Sequence, residues 1–138
     1  MTAKSYLNQI KHMDAKIARR KLELFELRDQ LGSLRAIDYS ADKVQGGNRQ
    51  DRNADLLEKI ERLSAEIEKE TEELIGVRYK ILQEIEQLEN GIYTELLYKR
   101  YLESKSMAQI AQEMGYAEGY IRRMHGLALT DFEKKNQA

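Results

Sequence analysis

The sequence predicts an all-α protein in which a long antiparallel helical (coiled-coil) hairpin is followed by a small helix-turn-helix domain. Three observations support this fold class. Two long segments repeat apolar residues at alternating steps of three and four, the 138 residues include no proline, and the later spacing becomes that of short globular helices. We therefore expect the hairpin at residues 1–90, with a loop at about 36–53, and the helix-turn-helix domain at 91–138.

Two apolar seams define the predicted hairpin. The first runs through residues 3–34 and the second through 56–88, each with apolar side chains at the a and d positions of successive heptads. Arg20 interrupts the first seam, and Glu70 and Glu84 interrupt the second. The seams predict two helices, each about 50 Å long at ~1.5 Å per residue, that bury one another's apolar side.

The polar interruptions indicate how the two helices pair. An antiparallel hairpin places Arg20 opposite Glu70 and Tyr6 opposite Glu84, so each polar side chain meets a polar partner. A parallel homodimer would instead place Arg20 against Arg20. We favour the hairpin within one chain, with self-association left open because four large apolar residues lie off the seams: Leu22, Phe25, Ile75 and Leu82.

Charge is distributed unevenly along the chain. Residues 1–53 contain 11 basic and 7 acidic side chains, residues 54–91 contain 5 and 11, and residues 92–138 contain 7 and 6. The basic and acidic segments are expected to face each other in the hairpin. The near-neutral C-terminal segment supplies no large basic field, so strong binding of nucleic acid by one copy is not expected.

The connection between the seams has the composition of a loop. Residues 36–53 include Gly46 and Gly47 with several Asp, Asn and Ser residues. The segment is longer than a helix–helix connection requires. Two interpretations remain open, a disordered loop and a partner-binding loop that uses Tyr39 and Val44.

The stretch "SMAQIAQEMGYAEGYIRRMHG" carries the spacing of a helix-turn-helix. Ser106 is a suitable N-cap for the helix "MAQIAQEM", and Gly115 suits the left-handed backbone of a tight turn. A further helix is expected from about residue 117 to 134. The small residue at the helix crossing is Ala111, and the apolar set at that crossing is Ile110, Met114, Ile121 and Met124.

The second helix of the motif has a face that suits DNA. When Ile121 and Met124 point inward, the opposite face carries Arg122 and Arg123 with two glycines. Arginine reads guanine edges in the major groove and also binds phosphate. The glycines permit close approach to DNA or simply weaken the helix. The two glycines are Gly119 and Gly126. Further candidates for phosphate contact are Lys99, Arg100, Lys105 and the backbone N–H groups at Ser106 and Met107.

The segment from residue 93 to 134 resembles region 4 of sigma-70-type factors, with a polar cap, "IAQEMG", a short turn and "YIRRMHGLAL". The chain as a whole, with "IDYSADKV" and "LLYKRYLESKSMAQIAQEMGY", resembles small phage and prophage regulators of the ArpU-like late-transcription type. The resemblance implies that Arg122 and Arg123 contact DNA and that Glu118 and Tyr120 lie at the margin of the groove. Sigma factors usually have a charged or polar residue at the position of Gly119, so their promoter specificity is not implied.

These observations predict a sequence-specific DNA-binding transcriptional regulator, which the resemblance identifies as an activator of late phage genes. The expected partners are double-stranded DNA, host RNA polymerase, and further copies of the chain in a homodimer or higher oligomer. The alternative is a DNA-recognition component of phage genome packaging, similar to a small terminase subunit. A structural coiled-coil protein that never binds DNA is a third reading, against which the helix-turn-helix spacing argues.

Catalytic and cofactor functions have no support in the sequence. His12 and His125 are isolated from any nucleophile or metal-ligand pattern, and there is no cysteine. We therefore expect neither an enzyme nor a bound cofactor or metal, and we interpret both histidines as ordinary surface or interface residues. The absence of cysteine and of a long apolar segment leads us to expect a cytoplasmic location with no membrane partner. The resemblance to phage and prophage regulators implies that this cytoplasm is that of a bacterial host.

Overall fold

The structure of the protein, a computed structural model, describes the backbone of residues 1–40 and 46–136 and the side chains of residues 1–36 and 51–136. These parts of the chain are helical and contain no strand, which confirms the predicted all-α fold class. None of the described helices is long and apolar enough to cross a membrane. The α-helices are α1 (Ala3–Ser40), α2 (Gly46–Glu86), α3 (Gly91–Leu97), α4 (Met107–Met114) and α5 (Glu118–Lys135).

The two long helices extend further than their apolar seams. Helix α1 continues to Ser40 and helix α2 begins at Gly46, so most of the predicted loop at 36–53 is helical. Continuing a helix satisfies backbone N–H and C=O groups that a loop would leave to water, and no proline prevents it. The candidate partner-binding residues Tyr39 and Val44 lie outside the described side chains.

Residues Ala15–Glu72 form one compact unit, built from α1 packed against α2. Its core consists of leucine and isoleucine side chains at seam positions, which lie on one side of each helix because the seam repeats every three to four residues. The buried members are Leu24, Leu31, Ile60 and Leu63, and Leu27, Leu56 and Ile67 pack against them.

Arg20 fixes the register of this unit. Its Nε lies 2.9 Å from Glu70 Oε1, and its Nη1 donates a hydrogen bond of 2.6 Å to Glu66 Oε2. Lys16 Nζ lies 3.5 Å from the same oxygen of Glu70. The structure therefore brings together the pair that the seam register predicted, and it adds Glu66, which the seam alone could not indicate because Glu66 lies off the a and d positions.

The second compact unit contains Met1–Asp14 and the described residues from Glu73 onward. The start of α1 and the end of α2 pack here with the three short helices. The hydroxyl of Tyr6 donates a hydrogen bond to Glu84, as the register predicted, and the Tyr6 ring lies 6.0 Å from that of Phe132 in α5. The most deeply buried large side chains of this unit are Leu7, Ile10, Ile81, Ile85, Leu96, Leu97, Ile110, Ile121 and Phe132.

The predicted boundary at residue 90 falls in the connection between α2 and α3. Asn90 caps α3 by accepting hydrogen bonds from the N–H groups of Ile92 and Tyr93. The two compact units, however, join the first 14 residues and the end of α2 to the C-terminal helices. An independent DNA-binding domain at 91–138 stays a prediction.

The chain changes its helical winding after α3. After α3 the chain forms a π-helical turn at Tyr98–Leu102, in which the Glu103 N–H donates to the Tyr98 carbonyl at 3.1 Å. Ser104 then adopts a positive φ of 57°. Arg78 of α2 donates a hydrogen bond of 3.3 Å to the carbonyl of Leu102, which secures the end of the turn. This wider turn sets the path of the chain into α4.

Candidate nucleic-acid interface

The turn between α4 and α5 has the backbone geometry that its sequence predicted. Ser106 precedes α4, and its Oγ accepts a hydrogen bond of 3.1 Å from the N–H of Gln109. Gly115 ends the helix with φ 77° and ψ 31°, a left-handed conformation that favours glycine. The N–H groups of Gly115 and Tyr116 both donate to the Ala111 carbonyl at 3.0 Å. Local sequence therefore determines where α4 begins and ends.

Three buried side chains join α4 to α5. Ile110, Ala111 and Ile121 are almost fully buried, and the small Ala111 side chain suits a position where two helices approach closely. Met114 and Met124, which were predicted to belong to the same apolar set, are only half-buried.

Arg122 stands on the exposed face of α5 beside Glu118. Its Nη2 lies 2.7 Å from Glu118 Oε1, one helical turn earlier, and both side chains remain exposed to solvent. A surface ion pair at this spacing contributes little stability. It orients the guanidinium, and either group can exchange its partner for a ligand at small cost.

Arg123 lies next to a pair of tyrosines. Its guanidinium carbon is 5.9 Å from the centre of the Tyr120 ring, and the Tyr120 ring is 4.8 Å from that of Tyr116. An arginine near an aromatic face is attracted by the ring quadrupole, which limits the directions in which it points. Tyr116 is exposed, and sequence reasoning did not select it as a site residue. The spacing of four residues between the tyrosines was the available signal.

Gly119 and Gly126 have no structural need to be glycine. Apart from its chain neighbours and the backbone of its own helix, a Cβ atom at either position would meet no described atom within 4 Å, and neither residue has a positive φ. Both are exposed on α5 on either side of the two arginines along the chain. Glycine within a helix costs roughly 0.5–1 kcal/mol relative to alanine. Packing within the described part of the protein would therefore tolerate larger side chains at both positions on this face.

The predicted phosphate contacts near α4 already have partners in the protein. Arg100 Nη1 donates a hydrogen bond of 2.9 Å to the Lys105 carbonyl. Lys105 Nζ lies 2.6 Å from Glu113 Oε1, and Lys99 Nζ lies 3.0 Å from the same oxygen. The hydrogen bond between Lys105 and Glu113 raises the pKa of the Lys105 ammonium group and lowers the pKa of the Glu113 carboxyl group. These cations tie the π-helical turn to α4, so Arg100 and Lys105 are less available to DNA than Arg122 and Arg123.

His125, which the sequence analysis interpreted as an ordinary surface or interface residue, is half-buried. Its Nε2 lies 2.8 Å from the Tyr101 hydroxyl, and the two rings stack with centres 5.7 Å apart. Burial, together with the positive charges of Arg100 and Lys4, lowers the pKa of His125 to about 4. The imidazole is therefore neutral near pH 7 and belongs to the packing between α5 and the π-helical turn. His12 is exposed, as expected.

The described residues contain no group of histidine, cysteine, aspartate or glutamate side chains arranged to hold a metal ion. Comparison with curated proteins found no match, and comparison with solved structures found none either. One protein family matches most of the chain, over residues 33–133, a range that includes α2 to α4 and nearly all of α5. The chain therefore belongs to the family described as "protein of unknown function (DUF1492)".

Proposed function

We propose that this protein is a sequence-specific DNA-binding transcriptional regulator in which α5 is the recognition helix. The observation that carries the proposal is the arrangement of α4, the Gly115 turn and α5, which leaves Arg122 and Arg123 exposed in the first turns of α5. In a helix-turn-helix the N-terminal part of the second helix contacts base edges in the major groove. Arginine there can bind guanine through two hydrogen bonds.

The exposed face of α5 fits this role in shape as well as in charge. Gly119 and Gly126 add no side chain to the face, and no side chain in the described part of the chain lies within 4 Å of a Cβ built at either position. Arg122 pairs with the exposed Glu118, and Arg123 lies near the ring of the half-buried Tyr120; these partners orient the two guanidinium groups, and both arginines stay exposed. Glu118 and Tyr120 are proposed to lie at the groove margin.

A single copy is expected to bind DNA weakly. Residues 92–138 contain 7 basic and 6 acidic side chains, and Lys105 and Arg100 are engaged within the protein. Few phosphate contacts give low affinity and a shallow dependence on salt. We therefore propose that the protein acts as a homodimer or higher oligomer, or together with RNA polymerase. A symmetric dimer would recognise half-sites separated by whole helical turns of DNA.

The biological setting follows from the resemblance of the sequence to ArpU-like regulators and to sigma-70 region 4. We propose a phage or prophage activator of late gene transcription that works in the cytoplasm of a bacterial host. Its role is non-enzymatic and requires no cofactor. The DNA-binding domain is proposed to comprise residues 91–138, supported by α1 and α2.

The test is a DNA-binding titration of Arg122→Ala and Arg123→Ala against selected and scrambled duplexes at several salt concentrations, after selection of a preferred sequence by the parent protein. Loss of a bidentate guanine contact should cost about 1–3 kcal/mol and relax the preference at one base pair. Loss of a phosphate contact should weaken binding evenly and reduce the salt dependence.

Arg62→Ala is the matched control. Arg62 also pairs with a glutamate one turn earlier, Glu58, at 2.7 Å, and it is about as exposed as Arg122. Removing it deletes the same charge and the same type of ion pair from α2, so binding should match that of the parent. If the parent selects no sequence, or if both α5 variants fold and bind like the parent at every salt concentration, α5 is not a recognition helix.

A further inference from the structure

The two neighbouring arginines of α5 lie on different parts of its exposed surface. Ile121, Ala128 and Phe132 are buried and define the side of the helix that packs against the protein. At ~100° per residue, Arg123 lies about 200° around the helix from Ile121, nearly opposite the buried side. Arg122 lies only about 100° from Ile121, on one flank of the helix. Arg123 therefore points furthest away from the protein.

Arg123 is the only long side chain on the outermost stripe of α5 between residues 119 and 130. The other members of this stripe, at steps of three and four residues, are Gly119, Gly126 and Thr130, and all of them are exposed. The glycines present no side chain, and Thr130 Oγ1 donates a hydrogen bond of 3.1 Å to the Gly126 carbonyl of its own helix. Because its neighbours on the stripe are small, Arg123 can reach the edge of a base pair with the helix backbone close behind it.

The two arginines also differ in their charge partners. Arg122 Nη2 lies 2.7 Å from Glu118 Oε1, so its guanidinium shares its donors with a carboxylate. In the part of the chain that the structure describes, Arg123 contacts no carboxylate. A guanine contact through two hydrogen bonds requires two donors of one guanidinium. Arg123 has these donors available.

The ring of Tyr120 limits the directions in which Arg123 points. The guanidinium carbon of Arg123 is 5.9 Å from the centre of the Tyr120 ring. The half-buried Tyr120 ring in turn lies 4.8 Å from the Tyr116 ring, with an angle of 35° between the two planes. The attraction between a cation and an aromatic face favours this arrangement. A guanidinium that is already oriented loses less conformational freedom when it binds.

We propose that Arg123 determines base specificity by binding a guanine in the major groove, that Tyr120 positions it, and that Arg122 contacts the phosphate backbone at the side of the groove. A helix in the groove directs its outermost stripe at the base edges, whereas its flanks face the backbones. Phosphate contacts carry no sequence information, so of the two arginines only Arg123 selects a base pair. This inference rests on the proposed recognition role of α5 and gives different functions to two residues that the role leaves equivalent.

The experiment measures the affinity of each variant for the selected duplex and for duplexes changed at one base pair at a time, at several salt concentrations. Arg123→Ala should reduce the preference for guanine at one position by about 5- to 150-fold. Arg122→Ala should weaken binding to all duplexes alike and make the salt dependence shallower. Arg122→Lys should bind like the parent, because a phosphate contact needs only the charge. Arg123→Lys should not regain the full preference, because lysine lacks the planar pair of donors.

A double-mutant cycle tests the positioning role of Tyr120. Tyr120→Leu should reduce the guanine preference about two- to fivefold, and Tyr120→Phe, which keeps the ring, should retain it. In the Arg123→Ala background, Tyr120→Leu should not change base preference further, because no guanidinium remains to be oriented. Tyr79→Leu, at an exposed tyrosine of α2, is the matched control and should bind like the parent. Circular dichroism verifies folding, and Tyr120→Met replaces the leucine variant if that variant is misfolded.

The outcomes separate this inference from the proposed function. If Arg123→Ala retains the base preference of the parent, or if Arg122→Ala relaxes it, the division of roles is wrong while α5 can still be a recognition helix. If Tyr120→Leu changes base preference equally with and without Arg123, Tyr120 does not position that arginine. A parent that selects no sequence, or arginine variants that both bind like the parent, would overturn this inference and the proposed function together.

Discussion

The two glycines on the exposed face of α5 offer a test that separates stability from DNA binding. Replacing Gly119 or Gly126 by alanine should stabilise the protein, because alanine loses less backbone entropy on folding and shields the helix backbone. The structure adds no steric penalty, since no described atom outside the local helix backbone and the chain neighbours lies within 4 Å of the new Cβ at either position. The expected gain is about 0.5–1 kcal/mol for each substitution. The melting temperature should rise by roughly 3–6 °C per kcal/mol.

The same substitutions should weaken DNA binding if α5 enters the major groove. A methyl group placed in a closely packed contact costs typically 1–3 kcal/mol through strain. The affinity for the selected sequence should therefore fall by about fivefold or more at each position. Opposite effects on stability and on affinity are expected only where a residue is retained for a contact with a partner.

The assay combines thermal unfolding with DNA titration of the same protein samples. Gly32→Ala in α1 is the matched control, because Gly32 is also exposed and an added Cβ would meet no described atom within 4 Å outside the local helix backbone and the chain neighbours. It should stabilise the protein without changing DNA affinity. Gly115→Ala should destabilise it by about 1–2 kcal/mol, because φ there is 77°.

Two results would refute this reasoning. If Gly119→Ala and Gly126→Ala raise the melting temperature and bind DNA like the parent, the glycines do not serve close approach to DNA. If both lower the melting temperature while Gly32→Ala raises it, the α5 backbone differs from the regular exposed helix described above.

Three further predictions concern stability. Arg20→Leu or Glu70→Leu alone should destabilise the protein more than the double replacement, because each single change leaves a partly buried charge without its partner. A double-mutant cycle by urea unfolding measures the coupling free energy between the two residues. Additive losses of unfolding free energy would contradict the prediction. The pKa of His125 is lowered from 6.5 to about 4. As the pH falls, the unfolded chain binds this proton first, so stability should decline between about pH 6.5 and 4. Because the half-exposed ring is partly screened by solvent, the expected loss of unfolding free energy is about 1–2 kcal/mol. His125→Gln should abolish this contribution to the pH dependence of stability, as measured by denaturant titrations. Ser106→Ala should cost about 1 kcal/mol, because it removes the cap of α4, and an unchanged unfolding midpoint would argue against the capping hydrogen bond.

Much of the long-helix architecture was readable from the sequence. Heptad spacing reports which side of a helix is buried, and the polar interruptions gave the register that brings Arg20 to Glu70 and Tyr6 to Glu84. The caps at Ser106 and Gly115 were also readable, because capping depends on residues within one turn of the helix end.

Other features required the folded chain. The loop assigned to residues 36–53 is largely helical, since composition indicates a tendency to turn but not whether helix continuation satisfies the backbone better. The π-helical turn at Tyr98–Leu102 has no distinct local sequence signal. Arg100 looked like a free cation, but its hydrogen-bond partner is a backbone carbonyl that only the turn brings within reach.

The sequence by itself determined the helical class, the pairing of the two seams and the position of the turn between α4 and α5, because each depends on periodicity or on neighbours along the chain. The tertiary structure alone decided which cations are available. Lys105 is tied to Glu113 whereas Arg122 and Arg123 stay exposed, and His125 is half-buried against Tyr101. The physical reason is that charge, hydrogen bonding and burial of a side chain depend on groups distant in sequence, whose approach follows from packing of the whole unit.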